Sequence, residues 1–193
     1  SMGRLFCVMG KSASGKDSLF KRLAADPRLG LRTVVPYTTR PIRQGETDGV
    51  EYHFTDEDGF LVLKNAGKII EDRAYHTVHG LWRYFTADDG QMDFSRGNYI
   101  VIGTLEAYRQ MLDFLGPQVM FPVYVEVEDG ERLARALARE RSQTAPKYAE
   151  MCRRFLADQE DFSEDKIRDC YITKRYANIE LEQCFREIKN DIL

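Results

Sequence analysis

Short apolar runs alternate with helical patterns along most of the chain. The runs at residues 5–9, 98–102 and 119–127 are almost uninterrupted, which is typical of parallel strands buried on both faces. Segments with a period near 3.6 residues lie between them and after them. These predicted helices cover residues 19–23, 105–115, 131–141, 148–161 and 181–192. The alternation predicts a doubly wound α/β fold, in which a parallel sheet is flanked by helices.

The middle of the chain has a different pattern. Residues 31–37 are rich in β-branched side chains and predict a strand, as do residues 68–71. Residues 75–85 are aromatic and alternate in polarity, which suits strands of a small mixed sheet. A last strand is predicted at residues 174–179. We therefore expect a small mixed-β insertion within the α/β frame.

Composition adds limits rather than a function. The 193 residues, 43% of them hydrophobic, are enough for one sizeable core. The net charge of −3 gives no sign of a nucleic-acid or acidic-membrane partner. No apolar run approaches the length of a membrane span and no charged-then-apolar leader is present, so a cytoplasmic location is expected. The cysteines form no C-x-x-C pair and are expected to be reduced thiols. They are Cys7, Cys152, Cys170 and Cys184.

The first strand runs into the sequence Gly-Lys-Ser-Ala-Ser-Gly-Lys-Asp at residues 10–17. The spacing G-x-x-x-x-G-K between a strand and a helix predicts a phosphate-binding loop, whose backbone N–H groups surround the phosphates of ATP. Lys16 would reach the β and γ phosphates. An ordinary glycine-rich turn is the alternative. The residues predicted to bind ATP are Gly10, Ser12, Ala13, Ser14, Gly15, Lys16, Asp17 and Ser18.

Asp17 departs from the usual motif. A Ser or Thr normally follows the lysine, and its hydroxyl binds Mg²⁺. A carboxylate is also a good Mg²⁺ ligand, so Asp17 is predicted to take over the metal. An acid in the first turn of a helix also suits the helix dipole without any metal, and the two roles are compatible.

Residues 38–54 form a second informative segment, too broken for a helix. Arg40 and Arg43 each offer a planar fork to phosphate oxygens, and Tyr52 could donate a third hydrogen bond. Composition alone would equally allow a solvated loop.

This segment resembles the T-T-R-x-x-R-x-G-E-x-x-G-x-D-Y-H-F signature of guanylate kinases, with Glu51 in the place of the family's Asp. The resemblance implies that Arg40, Arg43 and Tyr52 bind the phosphate of GMP. It also implies that Glu71, at the end of a predicted strand, accepts hydrogen bonds from the guanine edge. The predicted acceptor-binding residues are Thr39, Arg40, Arg43, Tyr52, Glu71, His79 and Thr104.

Two family features are missing from their expected places. Where the family has Tyr-Tyr-Gly-Thr, His79 stands near the expected tyrosine and could replace its hydrogen bond, although a lone histidine is more often structural or solvated. The family's Asp-x-Asp after the strand at residues 98–102 is replaced by residues 103–106. Thr104 or Glu106 would fill that space only in part.

The resemblance also implies a helical lid at about residues 136–155. Its arginines would meet the charge that develops during phosphoryl transfer, although a solvated helix face is the ordinary explanation of such charges. The domain would be single over residues 1–193, with a core of 3–34 and 97–193 and an acceptor-binding segment of 35–96. The predicted catalytic residues are Lys16, Arg40, Arg135, Arg139 and Arg154.

The function implied is phosphoryl transfer from ATP, with Mg²⁺, to a nucleoside monophosphate, GMP first. The sequence at residues 15–19 also resembles the phosphate loop of ribose 1,5-bisphosphate phosphokinases, so a sugar acceptor is one alternative. A non-catalytic guanylate-kinase-like binding module is the other, although such modules typically lose the lysine that this chain keeps at Lys16. A monomer or a homodimer is expected.

Overall fold

A computed structural model describes residues 2–193. The strands are β1 (Leu5–Met9), β2 (Arg32–Thr33), β3 (Tyr37–Thr38), β4 (His53–Phe54), β5 (Ile69–Thr77), β6 (Gly80–Ala87), β7 (Tyr99–Ile102), β8 (Met120–Glu126) and β9 (Arg175–Ala177). The helices are α1 (Lys16–Ala25), α2 (Glu57–Asn65), α3 (Leu105–Leu115), α4 (Asp129–Arg141), α5 (Tyr148–Asp161), α6 (Glu164–Asp169) and α7 (Leu181–Ile192).

The central sheet is parallel throughout, in the order β2-β7-β1-β8-β9. Every residue of β1 is buried, and its side chains alternate between two cores, as the period of a strand requires. Leu5, Cys7 and Met9 join the core that includes Tyr108 and Met111 of α3. The other β1 side chains join the core formed by α1 and α7. The predicted parallel sheet between two helical layers is thus what the chain forms.

The predicted strand at residues 31–37 is wrong as a single element. Its first part is β2, and the backbone N–H of Val34 still bonds to Ile100 of β7 (3.0 Å). The next N–H, of Val35, bonds instead to the side chain of Gln91 (2.8 Å), and Pro36 has no N–H to offer. The chain therefore leaves the central sheet here and enters a second sheet as β3.

The second sheet is mixed and has the order β4-β3-β6-β5. β5 and β6 form an antiparallel hairpin, β6 pairs antiparallel with β3, and β3 pairs parallel with β4. Phe60 of α2 packs edge-on against Phe85 (5.0 Å between ring centroids). Gln110 of α3 exchanges two hydrogen bonds of 2.9 Å with the backbone of Asp72. These contacts hold the mixed sheet at the α3 side of the central sheet, and a cleft lies between the two.

Three smaller findings complete the fold. Helix α6, which the sequence pattern did not reveal, starts at the capping residue Ser163 and buries Ile167. The four thiols are free, and Cys152 alone among them is exposed. Across residues 2–193 no helix combines the length and apolar character that crossing a membrane requires.

Candidate active site

The phosphate loop, residues 10–15, connects β1 to the first residue of α1. Gly15 has φ +83, and a Cβ on it would lie 2.3 Å from the side-chain nitrogen of Asn178, so only glycine fits there. That nitrogen donates to the carbonyl of Ser14 (2.8 Å). A Cβ on Gly10 would lie 2.8 Å from the carbonyl oxygen of Val125. The loop is thus held in shape by β8 and by Asn178, which follows β9, and the free N–H groups at the start of α1 lie at its end.

Lys16 and Asp17 stand at the start of α1 and line the cleft between the two sheets, which has a volume of about 560 Å³. The Lys16 Nζ lies 3.9 Å from an oxygen of Asp17, whose side chain is 76% exposed. Tyr52, Glu71 and Thr104 line the same cleft. We call this space the acceptor cleft.

Arg40 is buried, with 4% of its side chain exposed. Both of its terminal nitrogens donate to the carboxylate of Glu46 (2.9 Å each), and one also donates to the carbonyl of Pro41 (3.0 Å). The guanidinium lies 5.5 Å from the ring centroid of Tyr52 and 5.7 Å from that of Phe54. A bidentate pair of this kind fixes the plane of the guanidinium, so Arg40 is already oriented before any ligand binds.

The Arg40 pair predicts a pH dependence of stability. Hydrogen bonds from Arg40 and from the backbone N–H of Arg43 lower the pKa of Glu46 to about 2, against roughly 4.3 in an unfolded chain. A depressed pKa stabilises the fold fully above the unfolded value, and this stabilisation is lost as the pH falls towards 2. We expect Glu46→Gln to unfold at a lower temperature than the unmodified chain near pH 6, and the gap to close between about pH 4.5 and 2.

Thermal unfolding followed by circular dichroism across this pH range measures the gap. Glu57→Gln is the matched control, because Glu57 is also paired with an arginine, Arg83 of the mixed sheet, but its side chain is 48% exposed. A gap for Glu46→Gln that stays constant over the range would contradict the assignment.

Glu71 is buried in the floor of the acceptor cleft, where 1% of its side chain is exposed. It accepts hydrogen bonds from the Thr86 hydroxyl (3.0 Å) and from the Arg73 guanidinium (3.1 and 3.5 Å). Burial raises the pKa of Glu71, and Arg73 and Thr86 oppose that rise. The carboxylate that is predicted to bind the guanine base is therefore already hydrogen-bonded within the protein.

The structure separates His79 from the other predicted acceptor residues. His79 is exposed in the turn between β5 and β6 and stacks on Trp82 (5.8 Å between ring centroids). It does not line the acceptor cleft, because the hairpin carries its turn away from the sheet's centre. The expectation that it replaces the missing tyrosine is therefore corrected.

Tyr84, which the sequence reasoning missed, lies beside Tyr52. Its ring lies 5.7 Å from that of Tyr52, and in the β ladders Tyr84 stands opposite Thr38 and Arg73. Residues 84–86 read Tyr-Phe-Thr. This matches the end of the family's Tyr-Tyr-Gly-Thr with one substitution, and it is the signal that could have identified Tyr84.

Thr39 and Arg43 lie beside Arg40, and like Arg40 they do not line the acceptor cleft. The hydroxyl of Thr39 accepts from the backbone N–H of Arg83 (2.9 Å). Arg43 is exposed, and its backbone N–H donates to Glu46 (2.8 Å). Thr104 caps α3 by accepting from the N–H of Ala107 (3.1 Å) while also lining the cleft. A role of these three residues towards a ligand remains a prediction.

The three predicted lid arginines do not face one space. Arg139 and Arg154 line a hollow of about 210 Å³ together with Ser12 and Ala13 of the phosphate loop. Arg135 instead lines a larger cavity of about 770 Å³ with Ser14 and Asn178. It pairs with Glu131 (3.1 Å) and donates to the carbonyl of Asn178 (3.4 Å). Two separate groups of charge therefore flank the loop.

Arg132 lines both of these cavities, and no sequence pattern predicts a role for it. It is 2% exposed and donates to the carbonyl of Ser12 (3.1 Å), to Asp129 (2.9 Å) and to Gln159 of α5 (2.9 Å). The carboxylate of Asp158 accepts from both the N–H (2.9 Å) and the hydroxyl of Ser12. The loop is thereby bonded to both α4 and α5.

Comparison with known proteins agrees with this geometry. The family model described as guanylate kinase matches residues 2–80, which include the phosphate loop, Arg40, Tyr52 and Glu71. Residues 2–80 are thus similar in sequence to guanylate kinases. The fold of the whole chain resembles the crystal structure of guanylate kinase from Anaplasma phagocytophilum, with a TM-score of 0.62 and 19% identity, over 100% of this chain and 85% of that one.

Curated guanylate kinases match the chain over a shorter stretch. The protein from Aliivibrio fischeri is 36% identical over 95 residues, 47% of this chain and 46% of its own length. The protein from Paraburkholderia xenovorans is 40% identical over 87 residues, 45% of this chain and 38% of its own length. The chain thus spans less than half the length of these curated guanylate kinases. The family model includes the phosphate loop and residues 38–54, whereas residues 136–155 of the predicted lid lie outside it.

Proposed function

We propose that the chain transfers the γ-phosphoryl group of ATP to the phosphate of a nucleoside monophosphate, with GMP as the first candidate. One observation carries the proposal. A single cleft brings Lys16 and Asp17, at the end of the phosphate loop, opposite Tyr52 and Glu71 of the mixed sheet. This arrangement suits a donor phosphate on one wall and an acceptor on the other. The chemistry then needs the two ligands to be held in line.

Positioning and charge are the main tasks in such a reaction. The acceptor phosphate is already ionised, so no general base is needed, and catalysis rests on orienting the groups and balancing charge. The pre-oriented Arg40, with Tyr52 and Tyr84 beside it, would hold the acceptor's phosphate. Lys16 would balance the charge on the transferred group, and Arg139 and Arg154 would approach it from the lid side. Lid closure would exclude water from the transfer.

Asp17 is suited to a metal that arrives with the nucleotide. No group of three potential ligand side chains occurs among the described residues, but Mg²⁺ at nucleotide sites commonly uses one or two carboxylates, together with phosphates and waters. An exposed carboxylate beside the loop lysine meets that need. When bound, Mg²⁺ would neutralise phosphate charge. We accordingly propose ATP and Mg²⁺ as the cofactor set.

The Asp17 assignment predicts a change in the magnesium requirement. Asp17→Asn removes the charge but keeps the shape of the side chain. Because an anionic ligand is lost, the free Mg²⁺ concentration at half-maximal turnover should rise by roughly tenfold or more. Initial rates over a series of Mg²⁺ concentrations at fixed ATP measure the shift. Asp165→Asn on α6, whose carboxylate is 81% exposed, is the control for the same chemical change. An unshifted magnesium curve for Asp17→Asn would rule out the role.

The test of the function is ADP release from Mg²⁺·ATP, with GMP, dGMP, AMP, UMP and ribose 1,5-bisphosphate offered separately. We expect turnover with GMP and dGMP, which the guanylate kinase relatives support over the sugar bisphosphate. Turnover with the sugar bisphosphate alone would replace the proposal. No ADP release with any of the five acceptors would favour the non-catalytic binding module.

The biological setting follows from these substrates. We propose a cytoplasmic enzyme acting on small molecules as a monomer or a homodimer, with no nucleic-acid partner. The balanced charge of the chain, 28 basic and 31 acidic residues, supports this proposal.

A further inference from the structure

Arg73 lies in the acceptor cleft, and the mechanism above leaves it without a role. It lines the cleft with Glu71 and Lys16, and 18% of its side chain is exposed. Residues two apart on a strand share a face, so Arg73 and Glu71 point to the same side of β5. The strand has a bulge between Ile69 and Glu71. Beyond that bulge Glu71 stands opposite Thr86, and Arg73 stands opposite Tyr84.

The Arg73 guanidinium has donors to spare. Its hydrogen bonds within residues 2–193 are the two to Glu71, from Nε (3.1 Å) and Nη2 (3.5 Å). A guanidinium has five N–H donors, so three of them are not bonded to Glu71. The group lies 5.8 Å from the ring centroid of Tyr84, which fixes it beside the cleft wall. Three oriented N–H donors in a ligand cleft call for an acceptor atom.

Glu71 has little acceptor capacity left. A carboxylate has about four acceptor sites, and Thr86 and Arg73 together fill three of them. The free site suits one ring N–H but not a ring N–H and an amine together. The Glu71–Arg73 pair therefore presents one acceptor beside several donors.

We propose that Arg73 determines acceptor specificity by donating to a base carbonyl oxygen next to the ring N–H that Glu71 accepts. This rests on the proposed function. The acceptors of this class are monophosphates whose base has an N–H beside a carbonyl, namely guanine, hypoxanthine, uracil and thymine. Adenine and cytosine, held in the same orientation, would turn an amine towards the Arg73 donors. Two donors that face each other repel, so these bases are disfavoured. The 2-amine of guanine makes no hydrogen bond to this pair.

The test is equilibrium binding, which needs no phosphoryl transfer. Calorimetric titrations with GMP, IMP, AMP and 6-thioguanosine monophosphate compare the unmodified chain with Arg73→Met and Arg73→Lys. In 6-thioguanosine monophosphate a weakly accepting sulfur replaces the carbonyl oxygen. For the unmodified chain we expect GMP and IMP to bind within a few-fold of each other. We expect 6-thioguanosine monophosphate and AMP to bind more weakly by roughly 10- to 100-fold, as for one charged hydrogen bond.

Both variants should lose most of this preference. Arg73→Lys keeps a cation beside the buried Glu71, so it tests the proposal even if Arg73→Met fails to fold. Lysine cannot reproduce the planar guanidinium fork. Arg83→Met is the matched control, because Arg83 also pairs with a glutamate of this region (2.8 Å) but does not line the acceptor cleft.

The outcomes separate the two proposals. If both folded variants still prefer GMP over 6-thioguanosine monophosphate as the unmodified chain does, Arg73 is only the ion-pair partner of Glu71. The specificity role is then overturned, and the proposed function stands. If no monophosphate binds to the unmodified chain, the proposed function fails and the specificity role fails with it. A preference lost in both variants and kept in Arg83→Met supports the role.

Discussion

Replacing Lys16 with alanine is expected to lower the rate of phosphoryl transfer at saturating substrates by on the order of 10³-fold or more. Removing one pre-oriented donor from a developing negative charge typically costs 10²- to 10³-fold, and here the donor also carries a full charge. The fold should survive. The close charged contact of Lys16 is with the exposed Asp17 at 3.9 Å, and pairs of that kind contribute little to stability.

Single-turnover rates with saturating ATP and GMP, together with thermal unfolding, separate these effects. Lys166→Ala on α6 is the control, because Lys166 is exposed and lies outside the cleft. We expect it to keep the unmodified rate. A Lys16→Ala protein that unfolds at the unmodified temperature and still turns over at near-normal rates would remove the loop from the mechanism.

The strongest sequence predictions came from local patterns. Uninterrupted apolar runs mark β1, β7 and β8, because a strand covered on both faces must be apolar at every position. The G-x-x-x-x-G-K spacing marked the loop for a similar reason. A Cβ at Gly15 would meet Asn178 at 2.3 Å, so the glycine is a steric requirement that shows in the sequence.

What the sequence did not reveal depends on strand register. Nothing in residues 69–71 announces a bulge, yet the bulge puts Thr86 opposite Glu71 and Tyr84 opposite Arg73. A shift of one residue in pairing would turn these side chains to the other face. Tyr84 was missed for the same reason. The motif spacing places the tyrosine near His79, while the hairpin brings a later residue beside Tyr52.

The division of the lid arginines is also beyond sequence reasoning. Arg135 and Arg139 are four apart on one helix and were expected to act together. Arg135 is held by Glu131 and by the carbonyl of Asn178, and Asn178 is the residue that supports the loop at Ser14. Such contacts depend on where β9 ends relative to α4, which is set by tertiary packing. Arg135 therefore lines a different cavity from Arg139.

Arg40 gives the second large expected effect, on the acceptor. Arg40→Lys keeps the charge but cannot form two parallel hydrogen bonds with Glu46 while also facing a phosphate. We expect KM for GMP to rise by roughly 10²-fold, because a fixed bidentate donor is replaced by a flexible one. KM for ATP should change little, since Arg40 lies in the mixed sheet region, away from the phosphate loop. The unfolding temperature should also fall, because Glu46 keeps a weaker partner.

The loss of stability and the loss of acceptor binding can be told apart. Glu46→Gln removes the charged partner that fixes the plane of Arg40 but leaves the guanidinium in place. It should share the lower unfolding temperature of Arg40→Lys and show a smaller rise in KM for GMP. If Glu46→Gln raises KM as much as Arg40→Lys does, Arg40 acts by holding the segment in shape. If Arg40→Lys raises KM for both substrates equally, the acceptor assignment of Arg40 is wrong, because the loss of a contact with the acceptor's phosphate should affect only the acceptor.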